Sequence, residues 1–399
     1  MRAPVIVTCA ASLLMIATVA SAQQADPRLS EERQPAGWSV TPRVSTGVAY
    51  DDNVLIQGKG DDLQSDLNTA VSPGGSVDYV GKRSYFNASY SGSAQMYRDF
   101  SSLNSYDQSM NVAGRRQLRT HLLVFAQQSY SKTATTELPA LSGIPFARVG
   151  ARIADLRGGI EATPKKHLTI AASYNFQWID FDDNPQLGAA QLGGHSNGAA
   201  AGAKYQMSAR TTLTADYDLQ LARLLDGNRF NVQNWWAGGD YRLTENSHAY
   251  GALGISRMYA ADLTPKETSP AWRAGYAVHF EKAAVDVNYA RSFVPSYGGG
   301  GTLSNEEVTS NVHMPIGRRM YAEASASWRS NEPLVAGEAG ELPLRSLWLG
   351  GVVGYAAQPW LRIEGVYGRT QQRIDRPGGD LERNRIGVQV VTSKPVRIR

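Results

Sequence analysis

The sequence predicts an all-β fold, namely a transmembrane antiparallel up-and-down β-barrel of about 18 strands, with about 16 as the alternative count. Three observations support this prediction. Apolar and polar residues alternate with a period of two in segments of about 10 to 14 residues. The connections between these segments alternate between short and long. Beyond the N-terminus, the longest apolar run, 347–357, is far shorter than the roughly 20 residues of a membrane-spanning helix.

The N-terminus has the composition of a secretory signal peptide. An apolar run at 5–20 follows a single arginine and leads into a small-x-small cleavage sequence. We therefore expect a signal peptide at 1–22, a short periplasmic tail at 23–37 and the barrel at 38–399. An uncleaved anchor helix is the alternative.

Cleavage at this point changes the chemistry available to the mature chain. Cys9 is the only cysteine and leaves with the signal peptide, so neither a disulfide nor thiol chemistry is expected. Arg2 is the only charged residue removed, which lowers the formal net charge from +4 to +3. So small a charge predicts no nucleic-acid partner.

Alternation is clearest in 270–280, where every even position is apolar or aromatic and the odd positions include Arg273. The segment 168–178 repeats the pattern. Successive side chains of a strand point to opposite faces, so each segment has one apolar face and one polar face. The eighteen predicted strands are 38–50, 69–80, 84–98, 105–115, 120–132, 150–162, 167–181, 195–206, 211–223, 230–242, 247–259, 269–281, 283–294, 304–314, 319–330, 344–357, 361–373 and 381–393.

The connections predict which strand ends share a side of the membrane. Short turns toward the periplasm and long loops outside are typical of up-and-down barrels. The short connections are 81–83, 164–167, 208–210, 244–246, 316–319 and 358–360, and the long ones include 51–68, 133–149, 182–194, 295–303, 331–343 and 374–380. Loops 51–68 and 133–149 are long enough to fold inward and constrict the lumen.

A membrane environment explains why the sheet closes and why the residues alternate. Hydrocarbon offers no water to the N–H and C=O groups of a sheet edge, so a spanning sheet cannot have edges. One face then contacts lipid and the other a wet interior, although the mean hydropathy is only −0.34. Trp38, Tyr50 and Trp328 lie near strand ends on the apolar face, as interfacial girdles require. Outer-membrane lipid is therefore an expected partner.

No group of residues predicts a catalytic site, a cofactor site or a metal site. The six histidines are scattered and no cysteine accompanies them at zinc-ligand spacing. Glycine-rich stretches at 58–62, 193–198 and 297–301 do not link a buried strand to a helix, so we expect loops rather than phosphate cradles. The protein is not expected to be an enzyme.

The inward face is the predicted functional surface. Mixed charge in a water-filled passage sorts permeants by hydrogen bonding and by field. The alternative is that these charges pair across strands and only support the wall. The predicted pore-lining residues are Arg43, Asp155, Arg157, Asp216, Asp218, Arg273, Asp286, Glu323, Arg329, Arg362 and Glu364.

The stretch TPRVSTGVAYDDNV at 41–54 resembles the first strand of an outer-membrane β-barrel porin family whose members accompany exopolysaccharide synthesis and export genes. The resemblance implies a Gram-negative outer-membrane location, passage of polysaccharide and periplasmic export components as partners. The C-terminus departs from outer-membrane barrels, which usually end in an aromatic residue, because it reads VQVVTSKPVRIR. Either the last strand stops near Thr392 and a short tail follows, or the insertion machinery recognises this chain differently.

Three functions stay open at this point. The favoured one is export of an exopolysaccharide, since polar and aromatic lumen groups offer weak, repeated contacts to sugars. The second is a general or substrate-specific porin for small hydrophilic solutes. The third is a secreted soluble β-protein that binds or degrades polysaccharide, which predicts extraction without detergent.

Overall fold

A computed structural model describes residues 36–58, 62–137, 144–182, 193–225, 227–259, 265–280, 283–297, 301–334, 343–374 and 379–398. The predicted signal peptide and all but the last two residues of the predicted tail lie outside this part of the chain. Within it, no helix is long and apolar enough to span a membrane.

Antiparallel strands make up most of the described chain, and a short 3₁₀ turn at Ser101–Leu103 precedes β4. The strands are β1 Gly37–Asp51, β2 Asp66–Val80, β3 Ser84–Tyr97, β4 Ser105–Arg119, β5 Leu122–Thr133, β6 Ala151–Lys165, β7 Leu168–Phe181, β8 Gly194–Gln206, β9 Thr211–Leu224, β10 Arg229–Thr244, β11 Ser247–Tyr259, β12 Pro265–Phe280, β13 Ala283–Ser296, β14 Gly301–Ile316, β15 Met320–Pro333, β16 Leu344–Gln358, β17 Leu361–Ile374, β18 Leu381–Ser393 and β19 Val396–Ile398.

The sheet closes on itself. Each strand from β1 to β18 pairs with the next in sequence, and β1 then pairs with β18 in a register that sets Tyr50 opposite Ile386. The short β19 continues beside β1, with Val396 opposite Val40. Pro395, which has no backbone N–H to donate, lies between β18 and β19. Because both segments pair with β1, they occupy one position in the wall. The predicted eighteen-stranded antiparallel barrel is confirmed, and the alternative count of sixteen is wrong.

The predicted tail after the last strand needs correction. β18 ends at Ser393, close to the expected end near Thr392. The residues that follow are not a free tail, however, because β19 resumes the ladder with β1. Its backbone therefore finds partners in the wall although the chain ends in basic rather than aromatic residues.

The connections follow the predicted alternation with one correction. On the periplasmic side they are short, as at 317–319, where Gly317 adopts a φ of +76° that a turn requires. On the other side 52–65 and 134–150 are long. The predicted long loop 295–303 is shorter, because β13 and β14 stay paired as far as Ser296 and Gly301.

The outer face of the barrel is apolar. On β1, the alternating residues Val44, Val48 and Tyr50 are exposed, whereas Ser45 and Asp51 on the opposite face are buried. The same two-residue period runs through the other strands. Large apolar side chains on the outside of a closed, edgeless sheet form the surface that lipid covers. The chain is thus a transmembrane β-barrel of the bacterial outer membrane, and a soluble secreted β-protein is excluded.

Candidate functional site: the lumen

The eleven residues predicted to line the pore all lie on the inner face of the barrel. Each alternates with the exposed apolar residues of its own strand, as Asp155 and Arg157 do on either side of Leu156. Their placement follows from the pleat, because successive side chains of a strand point to opposite faces of the sheet. Their part in lining a passage stays a prediction.

One polar group on this face joins β9, β10 and β12. Arg273 donates from Nη2 to Asp216, and its Cζ lies 4.9 Å from the ring centre of Trp236. Asp218 accepts hydrogen bonds from Asn234 Nδ2 at 2.6 Å and from Trp236 Nε1 at 3.0 Å. Three of the predicted residues therefore belong to one network with a tryptophan at its centre.

A second group lies on β14 and β15. Arg329 donates from Nη2 to Glu307 Oε1 at 2.7 Å, and both side chains are largely buried. Glu323 Oε1 lies 3.1 Å from His313 Nδ1. These pairs run along the wall between neighbouring strands, which is the arrangement expected if the charges support the wall.

A third group surrounds Glu364 on β17. Its carboxylate accepts hydrogen bonds from Tyr321 Oη and, at 2.6 Å, from Gln389 Nε2. Arg362 Nε lies 3.5 Å from Glu364 Oε1. Side chains from β15, β17 and β18 thus surround this buried carboxylate.

Asp155 and Arg157 lie on β6. Asp155 accepts hydrogen bonds from Gln177 Nε2 at 2.8 Å and from Ser129 Oγ at 3.4 Å. The Cζ of Arg157 lies 5.9 Å from the ring centre of Phe125. Asp155 is thus held by amide and hydroxyl donors from both neighbouring strands, whereas Arg157 contacts a ring.

Arg43 and Asp286 lie on two further strands, β1 and β13. Arg43 on β1 is opposite Gly74 of β2. Asp286 on β13 is opposite Ala277 and Asn311. The structure therefore distributes the predicted residues around the ring and does not gather them at one point.

The connection between β5 and β6 folds into the lumen, as the length of 133–149 suggests. Its two arms are joined by a hydrogen bond from Thr136 N to Ala147 O at 3.0 Å. Phe146 N donates to Gln372 Oε1 on β17 at 2.5 Å. Since β17 is six strands from β5 around the eighteen-stranded ring, the connection crosses the mouth of the lumen. Residues 138–143 of the predicted loop lie outside the described part.

A buried ion-pair network fixes this connection to the far wall. Arg383 on the inner face of β18 is 1% exposed and binds Asp51 at the end of β1, with Nε 2.9 Å from Oδ1. Its Nη1 donates to Glu137 of the β5–β6 connection. Arg385 lies 3.9 Å from the same glutamate. One guanidinium therefore joins two strands of the wall to the β5–β6 connection. We call the described parts of this connection, 134–137 and 144–150, the crossing segment.

The loop after β1 forms part of the surface on which the crossing segment rests. Val54 is fully buried, and Asn53 Nδ2 donates to Glu382 O at 3.1 Å, which holds this loop against β18. Arg148 donates from Nη2 to Val54 O at 2.7 Å and to Tyr97 Oη at 2.9 Å. Loop 51–68 thus supports the crossing segment.

The extracellular end of β13 also bends inward. Pairing between β12 and β13 ends at Trp272 and Arg291, although both strands continue further. Beyond this point Phe293 packs against Val232 of β10 and Met258 of β11. Both partners lie on the inner face, so the end of β13 covers the wall from inside.

The two inward segments meet. Tyr297, directly after β13, forms one buried cluster with Ile144 of the β5–β6 connection and with Ile153, Ile179 and Leu224 of the wall. Burial raises the pKa of Tyr297 to about 12, so its phenol stays neutral at physiological pH. The lumen is therefore narrowed at its extracellular end by a contact between segments from opposite parts of the ring.

Sequence reasoning missed the residues that build this constriction. Arg383 occupies an inward position of a predicted strand, so the alternation could have placed it on the inner face. Its partner Glu137 is 246 residues away, and no local pattern connects the two.

The sequence matches no known protein-family model and no curated protein. Among solved structures, OpdK of Pseudomonas aeruginosa with vanillate is 12% identical, with a TM-score of 0.44 over 89% of this chain and 99% of that chain. OpdQ of the same organism is 9% identical, with a TM-score of 0.45 over 90% and 98%. OccAB3 of Acinetobacter baumannii is 11% identical, with a TM-score of 0.45 over 90% and 99%.

At such low identities and TM-scores, the resemblance assigns no substrate to this chain. None of these comparisons links the chain to exopolysaccharide export. The family resemblance of 41–54 has no counterpart among them.

Proposed function

We propose that the protein is an outer-membrane diffusion channel for small hydrophilic solutes, the second of the functions open from sequence. The observation that carries this proposal is the segment between β5 and β6, which crosses the mouth of the lumen and is fixed there by Arg383. A channel narrowed in this way suits solutes rather than polymers.

The physical reason concerns the width of the passage. A polysaccharide has to thread through a continuous opening, and every segment anchored across that opening reduces it. Here the crossing segment is bonded to β17 and β18, and it also contacts Tyr297 from the other side. Small solutes need only the space that remains. The inner charges of both signs supply hydrogen bonds in place of water along the route.

Residues 1–22 are proposed to direct the chain across the inner membrane. Residues 23–37 are then a short periplasmic extension, which fits the position of Gly37 at the periplasmic end of β1. Outer-membrane lipid and the permeating solute are the partners this proposal needs, and periplasmic export components have no part in it.

Liposome swelling tests the proposal. The purified, refolded protein is inserted into vesicles, which are exposed to sugars of increasing size. We expect rapid entry of monosaccharides and a steep fall in rate toward tetrasaccharides, with protein-free vesicles as the control. Vesicles closed to monosaccharides, or equally open to all sizes, would overturn the proposal. Deletion of the gene should leave surface polymer unchanged, whereas polymer trapped in the periplasm would favour export.

A further inference from the structure

Three arginines on the outside of the barrel form a group that the channel function does not use. Arg223, Arg229 and Arg257 lie at the extracellular ends of β9, β10 and β11, and all three side chains are exposed. We call them the outer arginine cluster. Their positions share the face of the exposed Leu221 and Ile255, so they point away from the lumen.

The cluster places like charges side by side. Arg223 is directly opposite Arg229 in the ladder between β9 and β10. Arg257 lies on the next strand, opposite Gln233 and therefore four residues further along β10 than Arg229, with its Cζ 5.8 Å from the ring centre of Trp235. Like charges directly opposite one another destabilise a sheet, so this arrangement favours an external anion.

Among the described residues, no carboxylate supplies that anion. In the described part of the chain, none of the three arginines forms an ion pair. Another outward arginine near the same rim does: Arg152 lies 3.2 Å from Asp180 and 2.7 Å from Asp182. The cluster therefore differs from Arg152 in charge balance.

The level of the cluster identifies the kind of anion. Leu221 lies two residues below Arg223, Ile255 two residues below Arg257, and Leu253 below that is 75% exposed. The arginines thus begin where the apolar outer surface ends, at the depth of lipid headgroups. Guanidinium groups bind phosphate oxygens in a bidentate manner, and their stems can lie along apolar surface.

We propose that the outer arginine cluster binds the phosphorylated headgroup of an outer-leaflet lipid. Arg223 and Arg229 form the two sides of the anion site, and Arg257, beside Trp235, holds a second phosphate. The site fixes a lipid to the β9–β11 sector of the wall and is independent of transport through the lumen.

Native mass spectrometry of the full barrel in neutral detergent tests this proposal. The ligands are lipid A with two phosphates, dephosphorylated lipid A and inorganic phosphate. We expect wild type to bind diphosphorylated lipid A on the order of 100-fold more tightly than the R223Q/R229Q/R257Q variant, which corresponds to about 1 kcal/mol for each arginine. Arg152→Gln, which changes an arginine already paired with carboxylates, should bind as wild type does.

Each alternative has its own outcome. Equal binding by wild type and the triple variant would overturn the proposal, as would equal binding of dephosphorylated lipid A. If inorganic phosphate binds as tightly as the lipid, the site accepts a free anion and the assignment to a headgroup is wrong. Heat-modifiable electrophoretic mobility reports folding. If the triple variant fails to fold, Arg229→Gln at the strand end should still weaken lipid binding about fivefold.

Discussion

Replacing Arg383 by methionine tests how the lumen is narrowed. Methionine keeps much of the volume and removes the guanidinium that joins Asp51 and Glu137. Both carboxylates are buried, so the substitution leaves two negative charges without their shared cation. Breaking a buried ion pair from one side costs about 3–5 kcal/mol.

The structure offers a way to relieve that cost. Glu137 belongs to a connection rather than to the wall, so the segment can leave β18 and return its carboxylate to water. Among the described residues, Asp51 then retains the hydrogen bond from Asn53 N, at 3.2 Å, and the nearby charge of Arg385. We therefore expect Arg383→Met to open the mouth of the barrel as well as to destabilise it. Glu137→Gln is the matched variant, since it removes the charge on the crossing segment and keeps the pair between Arg383 and Asp51.

Two measurements check this prediction. Single-channel recording in planar bilayers should show a higher conductance for Arg383→Met than for wild type, with Glu137→Gln in between. Urea unfolding in vesicles should show a loss of up to about 3–5 kcal/mol for Arg383→Met. Wild-type conductance together with a stability change below about 0.5 kcal/mol, the range of ordinary surface substitutions, would refute the reasoning.

Further predictions concern the two faces of the wall. Ala172→Arg introduces a charge on the lipid face of β7 and should cost about 2–4 kcal/mol near the midplane in urea unfolding, while Ser173→Arg on the inner face should cost far less; equal losses would contradict the assignment of faces. Asp216→Asn removes the carboxylate paired with Arg273 and makes the lumen more positive by one charge, so the reversal potential in a salt gradient should shift toward anion selectivity. An unchanged potential would show that this pair lies off the ion path.

The strands could be predicted because their signal is local. A period of two is produced by the pleat of each strand and by the contrast between lipid and water, so it is visible within ten residues. Closure followed from the same physics, since no edge is tolerated in hydrocarbon. Strand ends have a weaker local signal: the glycines and polar residues of 295–303 predict a loop, yet pairing between β13 and β14 extends into it.

The constriction could not be predicted in the same way. Alternation places Arg383 on the inner face but does not say what it meets there, and Glu137 lies in a segment without periodicity. Their contact depends on the curvature of the whole ring and on the path of one connection. The predicted pore-lining residues show the same limit: their face follows from the pleat, whereas the pair between Arg273 and Asp216 requires the four strands β9 to β12 to be aligned.

The most direct test of the central claim is a scan of solvent exposure along β7. Single cysteines at 170–175, in a chain expressed without residues 1–22 and so without Cys9, would each carry a spin label. We predict that a water-soluble paramagnetic reagent reaches the labels at Ala171, Ser173 and Asn175, and that oxygen dissolved in the bilayer reaches those at Ile170, Ala172 and Tyr174. Exposure without a two-residue period, or with the two sets exchanged, would contradict a wall that faces lipid outside and water inside.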